Sequence, residues 1–481
     1  MLRTAGSDKP PIVGLALLCI AVSIQQLDRE TNSHLIRQLG NSPGELFQKY
    51  FDRVHRIIVN DSDYAVSLEG IEVIMLSSKL MMWVGVIKSS WMLCRKALTY
   101  AQLLGMHRPQ RSSPTAPDLQ VGSQQHVWES LCQQDAYLSL VLALPYGFYE
   151  KAIPSTLQTQ DAASRFNHEM LKLSVRAIDR TQMGLNLSPE IANDIQKDLE
   201  LAASTMPQEF WGAPHALANG SVIREAYLES IAAQFWYHQI RVSVQMQSIQ
   251  NQQLEAHRAA CLEASRDLLK VYHIMRSESN SSFEMVSVID YQAFICSALL
   301  ILGMLGYGNS GSITETENQN SDQELIQLTL VALRRSAKAT ADTSTASQAF
   351  QGLETLTLLA SRDRCSYIGG QDIESRPYVK VIVPYSGTIT VSPGYLIRDG
   401  NCTPHIPKAH PPPTFTFLDY DQTQQFPKET APGVDNIGYD RSLDFGNMES
   451  EFPPIDFDWN TVMNTNFDES WAWLTDLHGT M

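Results

Sequence analysis

Seven cysteines, at positions 19, 94, 132, 261, 296, 365 and 402, are the first candidates for chemistry, since closely spaced thiolates hold zinc or run redox steps. No two of them are closer than about 35 residues. That spacing offers no CxxC or Cys/His ligand set, and the odd count gives no disulfide framework, so they are read as reduced thiols of an intracellular protein. The string Gly306-Tyr307-Gly308-Asn309-Ser310-Gly311 matches GxGxxG. A dinucleotide site needs a strand before that string and a helix after it; the apolar run before it is too long for a strand, and residues 312–324 lack an apolar face. A magnesium-dependent all-α cyclase needs paired aspartates, and no Asp-Asp-x-x-Asp occurs. Asn193-Asp194-Ile195 begins that class's second metal motif but then has Lys197 and Leu201 where Ser or Thr and Glu are required. HExxH and GxSxG are absent, and His238 and His273 lie in helical runs, where packed or solvated histidines are the rule. The residues therefore predict no enzyme, no cofactor and no bound metal.

With no catalytic constellation to position, the chain is organised around residues 71–147. Trp91, Cys94, Leu98, Ala101 and Leu104 step by three and four, which lays one stripe along a helix. Gly105 follows as a C-cap, His107 and Arg108 sit at the negative end of the helix dipole, and Pro109 stops the helix. Residues 109–122 read as a loop, and Ser123 is placed to cap the next helix. The second stripe runs Val127, Leu131, Asp135, Leu138 and Leu142, with Trp128 beside it. A carboxylate in an apolar stripe is costly to bury alone. Asp135 is therefore expected either at the edge, in water, or paired with a cation such as Arg108.

These residues carry a resemblance. The segment resembles the middle homology region of fungal zinc-cluster transcription factors, in which an aliphatic-Trp helix closes in Leu-Gly-Leu-His-Arg. A helix follows with Trp, seven on to Asp, four on to Ser, then Gly-Arg-Pro. Leu104, Gly105, His107 and Arg108, then Trp128, Asp135, Ser139 and Pro145, hold those places as structural motif residues. The chain departs at Ala136, where the family has Arg, and at Ala143-Leu144, where it has Gly-Arg. The resemblance extends weakly over about residues 12–362, with Met206-Pro207 and the helix near Cys261 at family-like places.

The net charge is −16, and residues 419–481 hold 13 acids against 2 bases. A basic footprint for nucleic acid is absent; Arg334, Arg335 and Lys338 read as a solvated helix face. Residues 12–22, preceded by Arg3 and Lys9, have the outline of a signal peptide, but Asp8 and two prolines interrupt its charged region. That run is too short for a bilayer, and residues 291–307 read as a buried core helix.

Taken in order, residues 1–10 are a flexible lead. Residues 11–362 are an all-α multi-helix regulatory domain, whose Ser42-Pro43-Gly44-Glu45 is a capping box opening a helix with Leu46, Tyr50, Val54 and Ile57 on one face. Ser188-Pro189 opens a further helix. Residues 363–403 are a small β-containing extension, with alternation around Pro384-Tyr385-Ser386-Gly387 giving a hairpin near 378–391. Residues 404–414 are a Pro-rich linker. Residues 415–481 are an acidic-aromatic tail, disordered alone, in which Phe467, Trp471 and Leu474, with Trp473, form an inducible aromatic face.

The resemblance implies a nuclear fungal transcriptional regulator, for example of a secondary-metabolite gene cluster. It would act through its regulatory domain and activation tail. Its partners would be a coactivator or other regulator at the tail and a DNA-binding partner protein. Nucleic acid and membrane are not expected to bind directly, and no residue pattern supports a small-molecule effector. The family's six-cysteine zinc cluster is missing from the sequence. The expectation is either an incomplete gene model or a natural coregulator or scaffold without its own DNA reader; an all-α enzyme ranks below both.

Overall fold

A computed structural model describes residues 9–27, 33–108, 118–149, 162–182, 189–212, 221–246, 255–277, 283–304, 316–339, 345–361, 379–383, 387–391 and 475–476. The body is all-α. In order come α1 (Pro10–Gln25), α2 (Ser33–Gln38), α3 (Pro43–Val54), a π-turn (His55–Val59), α4 (Ser62–Ala65), α5 (Leu68–Trp83), α6 (Ile87–Leu103) and α7 (Asp118–Leu142). There follow α8 (Ala162–Gln182), α9 (Pro189–Ser204), α10 (Gln208–Trp211), α11 (Ser221–Met246), α12 (Glu255–Met275), α13 (Val288–Met304), α14 (Thr316–Ala339) and α15 (Thr345–Ser361).

The capping box forms as the sequence dictates. The Ser42 hydroxyl accepts from the Glu45 amide at 3.2 Å, and the Glu45 carboxylate accepts from the Ser42 amide at 3.0 Å, so two orphan donors at the start of α3 are met reciprocally. The face of α3 departs from the expected stripe at its end. Leu46 and Val54 are buried, but Ile57 is exposed and Ile58 takes the core position. The π-turn is the reason: its wider winding adds a residue to the turn and rotates the stripe by one place. The Lys96 ammonium reaches across from α6 and donates to the Val59 carbonyl at 2.7 Å, tying down that wide turn.

Most helices pack on a near neighbour in sequence: α1 on α3 and α5, then α5 on α6, α6 on α7, α7 on α8, α8 on α9 and α11, α11 on α12, α12 on α13, and α13 and α14 on α15. The α5–α6 crossing is close because small residues meet there. Ser78 and Ser90 each donate to the other's carbonyl at 2.7 Å, and Gln134 of α7 donates to the Ser78 hydroxyl at 2.6 Å. These buried hydroxyls are satisfied, so the polar atoms cost little and the backbones gain contact. α13 is predominantly apolar and buried on every side from Val288 to Leu302, as a core helix with no solvent face must be. A backbone bond joins the sequence-distant parts, with the Ser287 amide donating to the Trp83 carbonyl at 2.7 Å. No helix among the described residues is long and apolar enough to cross a membrane.

Two strands follow the helices, β1 (Val379–Val383) and β2 (Gly387–Val391), antiparallel with Val381 opposite Ile389. This is the hairpin that the alternation predicts. A third strand, β3 (Thr475–Asp476), pairs with the other edge of β1.

Candidate functional site

The motif residues at 104–145 meet in one place. Leu104 is the C-cap of helix α6, and Gly105 turns the chain left-handed with φ 75°, a conformation that costs a side-chain-bearing residue about 1–2 kcal/mol. The Gly105 amide donates to the Gln102 carbonyl and the Met106 amide to the Ala101 carbonyl, both at 3.0 Å. That double bond is the Schellman arrangement, with Met106 buried at the position where such turns place an apolar contact. Leu104, read from the sequence as the end of the buried stripe, is instead exposed, because the turn lifts it off the α7 face. His107 lies half-buried against the Trp128 indole, ring centres 6.1 Å apart, and Trp128 is almost fully buried. Arg108 is exposed beyond the turn.

Ser123 lies inside α7, which begins earlier, at Asp118; the expected cap is displaced. The stripe itself holds: Val127, Leu131, Asp135 and Leu138 are all buried.

Asp135 resolves the two options left by the sequence. It is fully buried and paired, and its cation is Arg95, not Arg108. The Arg95 Nε lies 2.8 Å from Asp135 Oδ1, with its N–H off the line of contact, so the pairing is mainly electrostatic. The other carboxylate oxygen accepts from the Gly147 amide at 2.6 Å. Arg95 also donates to the Pro145 carbonyl and stacks over the Trp91 ring at 4.7 Å. Trp91 donates its indole N–H to the Ser139 hydroxyl at 3.1 Å, and Ser139 in turn donates to the Pro145 carbonyl at 3.2 Å. Gln102 donates to the Gly147 carbonyl at 3.1 Å. A Cβ at Gly147 would run into the Arg95 guanidinium, so a side chain there would have to push the arginine off its place beside the loop.

Burial pushes the Asp135 carboxyl up to about 6, outweighing the downward pull of Arg95 and the Gly147 amide. Burial likewise raises the thiols of Cys94 and Cys132, the reverse of what a nucleophilic thiolate needs. Burial depresses His238 to about 4 and lowers His273, as for packed imidazoles. Among the described residues no group of three or more His, Cys, Asp or Glu is placed to hold a metal ion. What the arrangement does is mechanical: it fastens the loop 143–149 to α6 and α7, and Tyr146 extends the fastening to Asp179 of α8 at 3.2 Å.

The family-motif departures have a local account. Ala143 is left-handed, φ 57°, where the resemblance places a glycine. The buried Ala136 leaves no cation next to Asp135 on α7, and Arg95 of α6 supplies one. Arg95, Gly147 and Gln102 were not singled out from the sequence. The only signal was that Arg95 stands one turn after Trp91, beside the apolar stripe. Gly306–Gly311, Phe467, Trp471, Trp473 and Leu474 lie outside the described residues; helix α13, not a strand, precedes the glycine string.

No protein-family model matches the chain. No solved structure matches it either. Curated relatives do. The chain is 22% identical over 461 residues to a dehydrocurvularin biosynthesis regulator of Alternaria cinerariae, covering 91% of this chain and 59% of the relative. It is 27% identical over 219 residues to the transcription factor eupR of a Phoma species, covering 43% of this chain and 46% of the relative. It is 22% identical over 409 residues to the transcription factor sdnS of Sordaria araneosa, covering 81% of this chain and 53% of the relative. The chain thus spans about half to three-fifths of the length of these relatives.

Proposed function

We propose that this chain belongs to a nuclear fungal transcriptional regulator of the zinc-cluster type that works without chemistry, controlling a biosynthetic gene cluster. The observation that carries the reading is the naming of its relatives: proteins aligned over most of this chain are called transcription factors or biosynthesis regulators. The residues 11–362 serve as the regulatory domain, 363–403 as its β-containing extension and 404–414 as a linker. Residues 415–481 serve as the activation segment, its aromatics supplying apolar area to a coactivator groove and its acids supplying solubility and encounter rate. A DNA-binding partner protein brings the complex to its genes.

The test is a fusion of residues 415–481 to an unrelated DNA-binding module upstream of a reporter. The fusion switches the reporter on, and replacing Phe467, Trp471 and Leu474 together with Ala abolishes most of that activity. Replacing Asp468 and Glu469 with Asn and Gln reduces it less. Equal loss in the two variants overturns the aromatic-face account. A second reading has one observation in its favour, the pairing of β3 with β1: a tail folded back on the hairpin. A silent wild-type fusion supports it, and then the segment is structural or inhibitory.

A further inference from the structure

Where α7, α11, α12 and α13 meet, the packing leaves a cavity of about 30 Å³. Its wall is mostly apolar, from Leu140, Val242, Leu268 and Ile295 among others, but Ser243, Tyr291 and the amides of Gln239 and Gln292 also line it. Both glutamines are more than nine-tenths buried. The Gln239 Oε1 has no hydrogen-bond partner among the described residues, nor has the Gln292 Oε1, although the Gln292 Nε2 donates to the Tyr137 hydroxyl at 3.3 Å. Turning the Gln292 amide over would only exchange which of its two polar atoms is left unmet. An unmet buried acceptor costs about 1–3 kcal/mol, and two in one mostly apolar pocket would be a large debt for a well-packed junction.

We propose that this cavity is a binding site for ordered water, which donates to Gln239 and Gln292 and bridges α11 to α13. The volume decides the ligand class. A water needs roughly 10–15 Å³ of such space, so about two fit, whereas an organic effector needs a pocket of about 300 Å³ or more. The chemistry agrees, since the amide carbonyls call for a neutral O–H donor and no charged side chain lines the pocket. The hydrated site lies beside the Gln292–Tyr137 bond, which links segments 155 residues apart, so water helps to set how α13 seats against the first half of the domain.

The experiment counts long-lived internal waters by oxygen-17 magnetic relaxation dispersion on the full chain. It compares the wild type with Gln239→Leu, and with Gln239→Met should the leucine variant fail to fold; circular dichroism confirms the helices in each. The expected result is a loss of one or two long-lived waters in the variant. An unchanged count overturns the proposal, whatever the thermal midpoint does, because Gln239 would then be satisfied within the protein and the cavity dry.

Discussion

Among the described residues, two of the buried arginine–aspartate pairs are built differently. Asp290, at the start of α13, accepts from both Arg276 Nε at 2.9 Å and Nη2 at 2.6 Å, and from the Tyr272 hydroxyl at 2.9 Å. Arg276 spends its remaining donors on the carbonyls of Phe283, Glu284 and Val286, at 2.7, 3.2 and 2.9 Å. Asp135 has one off-axis guanidinium contact and one amide, and its arginine is 24% exposed where Arg276 is 6% exposed. A buried charge is tolerated when its whole hydrogen-bonding capacity is met. The Arg276 pair is a closed lock on the α12–α13 turn; the Arg95 pair is a looser fastening of a loop, and its carboxyl sits close enough to neutrality to titrate near pH 6.

The comparison is broken first at the lock. Arg276→Met strands a buried Asp290 with only Tyr272 and takes the arginine donors from the Glu284 and Val286 carbonyls, and it should cost about 3–5 kcal/mol of unfolding free energy. Urea denaturation measures it, and a cost near zero would show the turn held by its apolar contacts alone. Arg95→Met should cost less, about 1–2 kcal/mol, because Asp135 escapes the penalty by taking a proton. In that variant the Asp135 midpoint, followed by carbon-detected NMR, moves above its wild-type position; a fixed midpoint would mean that Arg95 exerts no field on it.

The proton itself sharpens the contrast. The folded Asp135 pKa, about 6, lies above the ordinary 3.8, so the folded state binds this proton more tightly than the unfolded state. Its contribution is therefore most favourable below about pH 3.8, is lost as pH rises to about 6, and is constant above that. Measured as wild type relative to Asp135→Asn, stability should fall by about 2 kcal/mol between pH 4 and 7. A flat difference would show that the carboxyl is already ionised throughout. The smallest effect is at the loop. Ala143→Gly relieves a left-handed alanine and should gain roughly 0.5–1 kcal/mol, read as a higher thermal midpoint.

Much of the fold was legible in the sequence where the signal is local. The Ser42–Glu45 box, the Gly105 cap and the Val127–Leu138 stripe each depend on residues within about three turns of one another. The end of α3 was misread because nothing in the spacing marks a π-turn, and one extra residue per turn is enough to exchange Ile57 for Ile58. The need for a partner at Asp135 was also legible, from its place in an apolar stripe. The partner's identity was not. Arg95 and Arg108 both lie upstream of Asp135, and only the turn at Gly105, which carries Arg108 away from α7, separates them. Pairings across 40 residues depend on how helices cross, which periodicity does not encode.

The backbone bond between Trp83 and Ser287 has a kinetic meaning. Neighbour-on-neighbour helices form through short loops and would, by themselves, fray from either end one at a time. A contact that spans about 200 residues closes late, since its loop entropy must be met by pairs already made. Once closed, it makes that stepwise route less favourable. Helices between the two residues gain less chain freedom by melting while the tie is closed, so the tie favours the domain melting as one cooperative unit rather than helix by helix.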